Sequence, residues 1–396
     1  MKNVKHCLNG MKSRCFMLFA CLALMAGLAS CSEDYFEDNL PEKSKQFSKA
    51  ELIERALSRM PQTRAADPFP VMMVTTNEVV SITFHVTESV TIYWGDGEKT
   101  IRYSWASSDE THTYHDNEPV HAIYLEASNE AIETLWVDRA GLIFLNVANN
   151  TNLSQLLCTE NDLDYLDLTG CPNLQIIMAS VNNLSSIDLT HLPHLNYLSL
   201  GENQFTDIDV SKNPELQTLY LYRNPIIDLD LTKNTALERL SLESVPIQTI
   251  NNLPIGGKCF AMNSNLKDIN IASTSFTSLD LSDNPLVTSI NIFASSVTQL
   301  DISQLQIVSL SARYSQLTNL KYTLNNLTPF CEYIDIVNTP FEKNRTNVYS
   351  LIASLPNRNE PNKSGYIQQG RLGTTSLEYV TPFLTPLKDK NWVVFQ

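Results

Sequence analysis

Apolar residues recur at a fixed spacing through the middle of the chain. Four consecutive 21-residue segments, which begin at Leu153, Leu174, Leu195 and Leu216, each follow the pattern LxxLxLxxNxLxxLDLxxxxx. Two apolar residues separated by a single residue are typical of a short strand that buries one face. The frame extends back to Ile132 and forward to Leu320. It therefore predicts a solenoid of about nine strands, stacked in a parallel and concave sheet, over residues 130–322.

Two polar residues recur in the same frame. One is an asparagine at the turn out of each strand, where its side chain can satisfy backbone groups of two successive coils. We expect a stacked ladder of these asparagines: Asn161, Asn182, Asn203 and Asn224. Later units predict a weaker ladder because they carry Val245, Thr274, Ser295 and Ser315 instead. The other is an aspartate, and its recurrence indicates a scaffold role for Asp167, Asp188, Asp209, Asp230, Asp280 and Asp301.

One unit departs from the period. Leu240 and Ile269 occupy equivalent positions but lie 29 residues apart, as if eight residues were inserted near Gly256. Gly256-Gly257-Lys258 lacks the spacing of a phosphate-binding loop. The insertion therefore predicts a loop that protrudes from the solenoid.

The segments on either side of the repeats have other patterns. Residues 67–129 alternate apolar and polar residues in short runs such as 79–86, which predicts a small β-sandwich. Residues 323–396 have the pattern of short strands and helices, including a helix near 344–358 and a strand at 392–395. We expect this α/β segment to cap the apolar end of the last coil.

The first thirty residues have the features of an export signal. Four basic residues precede an apolar stretch from Phe16 to Leu28, which is shorter than the roughly 20 residues that span a bilayer. The stretch ends in Leu28-Ala29-Ser30-Cys31, which resembles the lipobox of bacterial lipoproteins. That resemblance implies a signal peptide over 1–30 and acylation of Cys31. Either Met1 or Met11 is the start.

Residues 31–66 are polar and predict a tether. The acidic residues between Glu33 and Asp38 resemble the signal that carries lipoproteins of the Bacteroidetes to the outside of the outer membrane. Ser48, followed by Glu51, is the spacing of a capping box, and it predicts a helix from Ser48 to Arg59. We expect this tether to be mobile rather than packed.

Charge and cysteine usage narrow the possible partners. The chain has 43 acidic and 28 basic residues, a net charge of -15, which disfavours nucleic acid and anionic membrane surfaces as partners. Membrane contact is then expected only through the N-terminal lipid.

The spacing of the four remaining cysteines is not that of metal ligands. They are Cys158, Cys171, Cys259 and Cys331. We expect Cys158 and Cys171 to be buried thiols, at positions that are otherwise apolar or small. The sequence predicts no metal or other cofactor and, since catalytic motifs are absent, no enzymatic activity.

Two further resemblances concern the body of the chain. The turn Trp94-Gly95-Asp96-Gly97, followed by THTYHDNEPVHAIYL, resembles the polycystic-kidney-disease-type immunoglobulin-like domain. Asp96 is most simply a turn former there, although a calcium site at Gly95-Asp96-Gly97 stays open. The 21-residue unit resembles the leucine-rich repeats of internalins. The whole arrangement resembles surface leucine-rich-repeat lipoproteins of Bacteroidetes, which implies adhesion to host or bacterial surfaces.

The residues beside the buried pairs are the candidates for binding, because they must face the concave side. Aromatic residues and arginines are favoured at the centres of interfaces, although tyrosine also suits the surface of any strand. The candidates are Trp136, Met178, Tyr197, Tyr220, Tyr222, Arg223, Arg239, Phe293, Arg313 and Tyr314. We expect a monomer that binds a protein or glycan in adhesion. The alternative is a glycan-capture lipoprotein of a nutrient-uptake system.

Overall fold

The computed structural model describes residues 47–59, 71–103, 106–128, 130–251, 253–254, 258–323, 331–356, 370–375, 387–388 and 390–396. The predicted signal peptide, Cys31, most of the tether and Gly256 lie outside these residues. Two helices are described, α1 (Lys49–Leu57) and α2 (Arg345–Ser354). None of the described helices has the length and apolar content that crossing a membrane requires.

Six antiparallel strands precede the repeats. They are β1 (Val71–Thr75), β2 (Val79–Val86), β3 (Val90–Tyr93), β4 (Lys99–Arg102), β5 (Ala106–Thr113) and β6 (His121–Glu126). The second strand alternates buried and more exposed residues, as its sequence predicts. Phe84, Ile92 and Leu125 belong to one buried core that continues into the solenoid. The six strands and the repeats therefore share a single hydrophobic core.

Nine strands form the concave side of the solenoid. They are β7 (Ile132–Trp136), β9 (Gln155–Leu157), β10 (Ile176–Met178), β11 (Tyr197–Ser199), β12 (Thr218–Tyr220), β14 (Arg239–Ser241), β17 (Asp268–Asn270), β19 (Ser289–Asn291) and β21 (Ser309–Ser311). Each is parallel to the next, and equivalent residues are in register, as in Leu198 with Leu219 and Leu240 with Ile269. The residue in register with Leu219 is buried in each strand, which confirms the predicted leucine-rich-repeat solenoid.

Seven further strands of the described residues lie along the convex side. They are β8 (Leu142–Asn146), β13 (Asp228–Leu229), β15 (Thr249–Ile250), β16 (Leu253–Pro254), β18 (Ser278–Leu279), β20 (Gln299–Asp301) and β22 (Asn319–Lys321). The predicted insertion begins here as a hairpin, in which β16 pairs antiparallel with β15. Consequently β13-β15-β16 and β18-β20-β22 form separate sheets. The concave register across the 29-residue coil stays unbroken.

The repeats are joined to their flanking segments by continuous sheets. In the concave sheet, β7 pairs with β2, and β2 pairs with β5. On the other side, β8 pairs with β1 within the sheet β4-β3-β6-β1-β8. At the C-terminal end, β23 (Tyr333–Asp335), β24 (Gly370–Gly373) and β25 (Trp392–Phe395) add three parallel strands to the concave sheet. The sheet thus extends beyond the frame that the period defines.

The helix α1 is packed, so the expectation of a mobile tether is wrong for residues 47–59. Its capping box is formed as predicted, since the side chains and backbones of Ser48 and Glu51 bond reciprocally. Ile53 and Ala56 are each 1% exposed, against a cluster on the outer side of β1, β6 and β8. Lys49 bonds to Asp164 of the second repeat at 2.8 Å. The apolar face of an amphipathic helix is stable only when it is buried, and here it is buried against this cluster.

A second asparagine column, which the sequence analysis missed, runs through the solenoid at the position of Cys171. Its members are fully buried: Asn150, Asn213, Asn234, Asn263 and Asn284. Asn234 Nδ2, for example, donates to the carbonyl oxygens of Val210 and Asn213, both at 2.9 Å. Cys171 is a buried free thiol, as expected. The interpretation of its frame position as apolar or small is wrong, because that position most often holds a hydrogen-bonding amide.

The aspartate column forms turns on the convex side. Each of its six carboxylates accepts a hydrogen bond from the backbone N–H two residues later, at 2.8–3.0 Å. At Asp209, the side-chain and backbone donors of Ser211 hold the pKa of the carboxyl below its ordinary range. These short local bonds define Asx turns. They give the column the scaffold role that its recurrence predicts.

Candidate binding surface

The chain leaves each concave strand through a left-handed turn. One residue directly precedes the position that the ladder asparagine occupies in its four coils. In every described coil that residue has φ between 51° and 60°, although none of these residues is glycine. The column comprises Arg139, Glu160, Val181, Glu202, Arg223, Ser244, Ser273, Ala294, Tyr314 and Asn338. Side chains here stand at the rim of the concave sheet, and several are charged. The turn therefore determines where the rim charges lie.

The ladder asparagines hold this turn in place. Asn203 Nδ2 donates to the carbonyl oxygens of Ala179 (2.9 Å) and Leu200 (3.0 Å), in two successive coils, and its Oδ1 accepts from the N–H of Leu184 at 3.0 Å. The same pattern occurs at Asn161, Asn182 and Asn224. Ser295 at the equivalent position donates only to Ile292, within its own coil.

A concavity of about 480 Å³ lies on the surface of the concave sheet, next to the end of this asparagine ladder. It spans β12, β14, β17 and β19, in front of the enlarged coil. Its floor is made of short polar side chains that are buried or half-buried, whereas the strands before it carry tyrosines. The lining residues are Glu202, Tyr220, Tyr222, Arg223, Arg239, Leu240, Ser241, Glu243, Asp268, Ile269, Asn270, Ser289 and Asn291.

A charge network surrounds this concavity. Arg223 bonds to Glu202 at 2.8 Å and lies 4.0 Å from Glu243, one coil on either side. Arg239 bonds to Asp268 at 3.2 Å across the enlarged coil. Asn270 Nδ2 also donates to Glu243 at 3.2 Å. All three carboxylates of the lining are therefore engaged by donors within the site.

Three tyrosines form one side of the site. Tyr197 and Tyr220 meet edge to face, with ring centroids 5.8 Å apart, and burial raises the pKa of Tyr197. The Tyr222 ring lies directly over Gly201, where an added Cβ would come within 2.2–2.5 Å of three ring carbons. A glycine at 201 thus lets this ring lie against the backbone.

The structure brings together four of the ten predicted binding residues. Tyr220, Tyr222, Arg223 and Arg239 line the concavity, and Tyr197 adjoins it through Tyr220. The other five lie elsewhere on the concave side, toward its two ends. Trp136 and Met178 are on β7 and β10 at the N-terminal end, whereas Phe293, Arg313 and Tyr314 are near its C-terminal end.

The two ends differ in how far their side chains are engaged. Trp136 is 48% exposed, and its indole N–H donates to Asp138. Phe293 and Tyr314 meet edge to face at 5.7 Å. Arg313 donates to the buried Asp335 at 2.8 Å. The side chain of Arg313 thus links the end of β21 to β23.

Several lining residues were not among the sequence candidates. Ser241, Asn270, Ser289 and Asn291 form the floor, and Asp268 pairs with Arg239. They are short polar residues, whereas the sequence candidates were aromatic residues, arginines and one methionine. The available signal was a run of short polar residues beside the strand centres, next to the coil of irregular length.

The predicted turn in the N-terminal segment is engaged by protein donors. Asp96 Oδ1 accepts from the N–H of Glu98 at 3.0 Å, and Oδ2 bonds to His112 Nε2 at 2.7 Å. Gly95 and Gly97 have φ of 91° and 99°. These bonds favour the turn-forming role over a calcium site. Within the described ranges, no group of three or more His, Cys, Asp or Glu side chains is arranged to hold a metal ion.

No protein-family model matches the chain, and no curated protein matches it. Solved structures are similar to part of it. The functional domain of InlJ from Listeria monocytogenes is 19% identical, with a TM-score of 0.36, over 56% of this chain and 62% of that one. YopM from Yersinia enterocolitica is 23% identical, with a TM-score of 0.39, over 48% and 38%. A leucine-rich-repeat protein from Leptospira interrogans is 20% identical, with a TM-score of 0.44, over 52% and 54%.

This chain therefore spans less than two thirds of the length of each of these three proteins. The assignment of its fold rests on its own residues. The period of 21 and the parallel register of β9 to β12 are those of a leucine-rich-repeat solenoid.

Proposed function

We propose that this chain binds a macromolecular ligand on the concave face of its solenoid, without catalysis, as a surface adhesion protein. The observation that carries the proposal is the concavity in front of the enlarged coil, where four of the predicted binding residues meet. Its carboxylates are all paired with arginine or asparagine. Paired carboxylates favour ligand binding over acid–base chemistry, which needs a carboxyl group free to exchange its proton.

The proposal is tested by adhesion of the purified protein to cultured epithelial cells and to whole bacteria. We expect Tyr220→Ala and Tyr222→Ala to reduce retention on cells, measured by flow cytometry. The matched control is Tyr165→Ala, an exposed tyrosine on the convex side. Equal retention of all three folded variants and the parent protein would refute a role for the concave face.

We also propose that the protein is held by lipid on the outer surface of an outer membrane. This rests on the lipobox-like run ending in Cys31 and on the acidic residues after it. Several acyl chains on one cysteine hold a protein on a bilayer, at about 0.8 kcal/mol per buried methylene. Cys31→Ser should abolish incorporation of a labelled fatty acid and move the protein to the soluble fraction. Labelling that persists in this variant would overturn the proposal.

The flanking segments then protect the ends of the solenoid. We propose an immunoglobulin-like module over 67–129 and a cap over 323–396. The pairing of β2 with β7, and of β21 with β23, supports this because it covers the open backbone edges of both terminal repeats. Deletion of β23 to β25 should cause aggregation. A soluble and monomeric truncated protein would contradict the cap.

A further inference from the structure

We infer that the concavity between Tyr222 and Asn291 is a subsite for a neutral saccharide, the chemical class of ligand that its lining fits. The inference rests on the proposed function, because it concerns the same concave face. At about 480 Å³, the concavity has the size of small-molecule sites, which occupy roughly 300–1,000 Å³. That space suits a short stretch of a glycan.

The site offers hydrogen-bonding groups that the protein leaves open. Within the described residues, the hydroxyl groups of Tyr220, Tyr222, Ser241 and Ser289 make no side-chain hydrogen bond. The Asn291 Oδ1 accepts from the N–H of Phe293 at 3.0 Å, and its Nδ2 makes no hydrogen bond within the described residues. A hydroxyl can both donate and accept, so this lining matches a ligand that carries many hydroxyls.

The tyrosine side of the site supplies apolar ring surface. The Tyr222 ring packs against the backbone at Gly201, and Tyr220 is held edge to face by Tyr197. Rings fixed in this way lose little conformational freedom on binding. A sugar ring presents C–H groups on one face and hydroxyls at its edge. It can therefore contact the tyrosine rings and the polar floor together.

An apolar anchor from a protein partner fits this lining poorly. Leu240 and Ile269 lie beneath the floor and are only 1% and 2% exposed. The floor is lined by serine and asparagine side chains. Burial of an apolar side chain here would leave those polar groups without partners, which disfavours an apolar anchor.

A charged ligand also fits poorly. An anion would meet three carboxylates against two guanidinium groups, in a chain whose net charge is -15. A lysine or arginine side chain would approach Arg223 and Arg239, which already pair with Glu202 and Asp268. A neutral hydroxyl can instead donate to a carboxylate and accept from a guanidinium without displacing either partner.

The experiment is titration calorimetry of the purified protein with five probes. Three are neutral tetrasaccharides: cellotetraose, maltotetraose and the tetramer of N-acetylglucosamine. A heparin tetrasaccharide and an oligolysine peptide are the charged probes. We expect at least one neutral probe to bind, with weakening on the order of tenfold in Tyr220→Ala and Tyr222→Ala. Gly201→Ala should weaken binding similarly, because it displaces the Tyr222 ring without removing it.

Tyr165→Ala is the matched control, since it removes an exposed tyrosine from the convex side of the solenoid, outside the concavity. Its affinity should equal that of the parent protein. The inference is overturned if no neutral probe binds, if only a charged probe binds, or if the tyrosine variants bind a neutral probe as tightly as the parent. Loss of cell adhesion in the tyrosine variants without saccharide binding would leave the proposed function standing and refute only this inference.

Discussion

Substitution of one ladder asparagine provides the sharpest test of how the solenoid is held together. Asn203 is 7% exposed, and its side chain bonds at 2.9–3.0 Å to three backbone groups in two successive coils. The carbonyl groups of Ala179 and Leu200 each accept a second amide, from Asn182 and Asn224. Asn203→Ala therefore leaves those carbonyls with one donor each. The N–H of Leu184 loses the partner that the structure gives it.

The expected cost follows from that count. An orphaned buried N–H costs about 1–3 kcal/mol, and each lost hydrogen bond to a carbonyl that keeps another donor costs about 0.5–1 kcal/mol. Asn203→Ala should therefore lower the free energy of unfolding by about 2–5 kcal/mol. Asn203→Asp should cost more at neutral pH, because a carboxylate cannot donate to the carbonyls of Ala179 and Leu200.

The matched variant is Thr274→Ala, at the equivalent position of a later coil. Thr274 bonds only to Ile271, within its own coil, at 2.5 Å, so its loss should cost about 1 kcal/mol. Denaturant unfolding followed by circular dichroism measures both variants. Because repeat proteins can open coil by coil, hydrogen exchange of the Leu184 amide measures the local effect. A cost for Asn203→Ala below about 0.5 kcal/mol, or equal to that of Thr274→Ala, would refute the reasoning.

Three further predictions concern the turns and the thiols. Val181→Asn should raise the free energy of unfolding by about 0.5–1 kcal/mol, because a β-branched residue at φ of 57° is strained and asparagine tolerates that region. Ser244→Asn is the control, since serine is not β-branched. An equal gain in stability for Ser244→Asn would contradict the explanation. The pKa of the Asp209 carboxyl is lowered in the folded protein, so it contributes stability above its ordinary pKa of 3.8, and that stability is lost as pH falls below 3.8. In thermal melts from pH 2 to 6, the melting temperature of Asp209→Asn should fall less steeply with pH than that of the parent protein. The asparagine oxygen can accept the same hydrogen bonds at every pH. Burial raises the pKa of Cys171 to about 12 and also raises the pKa of Cys158, so maleimide should label both only after denaturation, as located by peptide mass spectrometry; rapid labelling of the folded protein would show that these thiols are accessible.

The sequence predicted the solenoid because its period specifies burial directly. Residues at equivalent positions of the period are buried together. Leu219 and Leu240, which lie 21 residues apart, are one such pair. The outward-facing residues follow from the same frame. Their pairing does too: Glu202 and Arg223 lie 21 residues apart, so their contact could have been predicted.

Other features depend on information that the period does not carry. The second asparagine column was hidden because its position holds Cys171 and Leu192 in two of the most regular repeats. The packing of α1 depends on an apolar patch that exists only once β1, β6 and β8 are assembled. The concavity requires a comparison of side-chain sizes across four strands, together with the pairing of Arg239 and Asp268 over 29 residues. These are properties of neighbours in space rather than of spacing along the chain.

The bonding of each ladder amide only to adjacent coils has a consequence for how such a chain can evolve. Asn203 is bonded to its own coil and to the coil before it. Removal or duplication of one whole unit between Leu153 and Leu237 would therefore join coils whose contacts already match. The hairpin β15–β16 lengthens a coil on the convex side while Leu240 and Ile269 stay in register. Unequal recombination within the gene could thus change the length of the binding face by whole strands and leave its flanking modules intact.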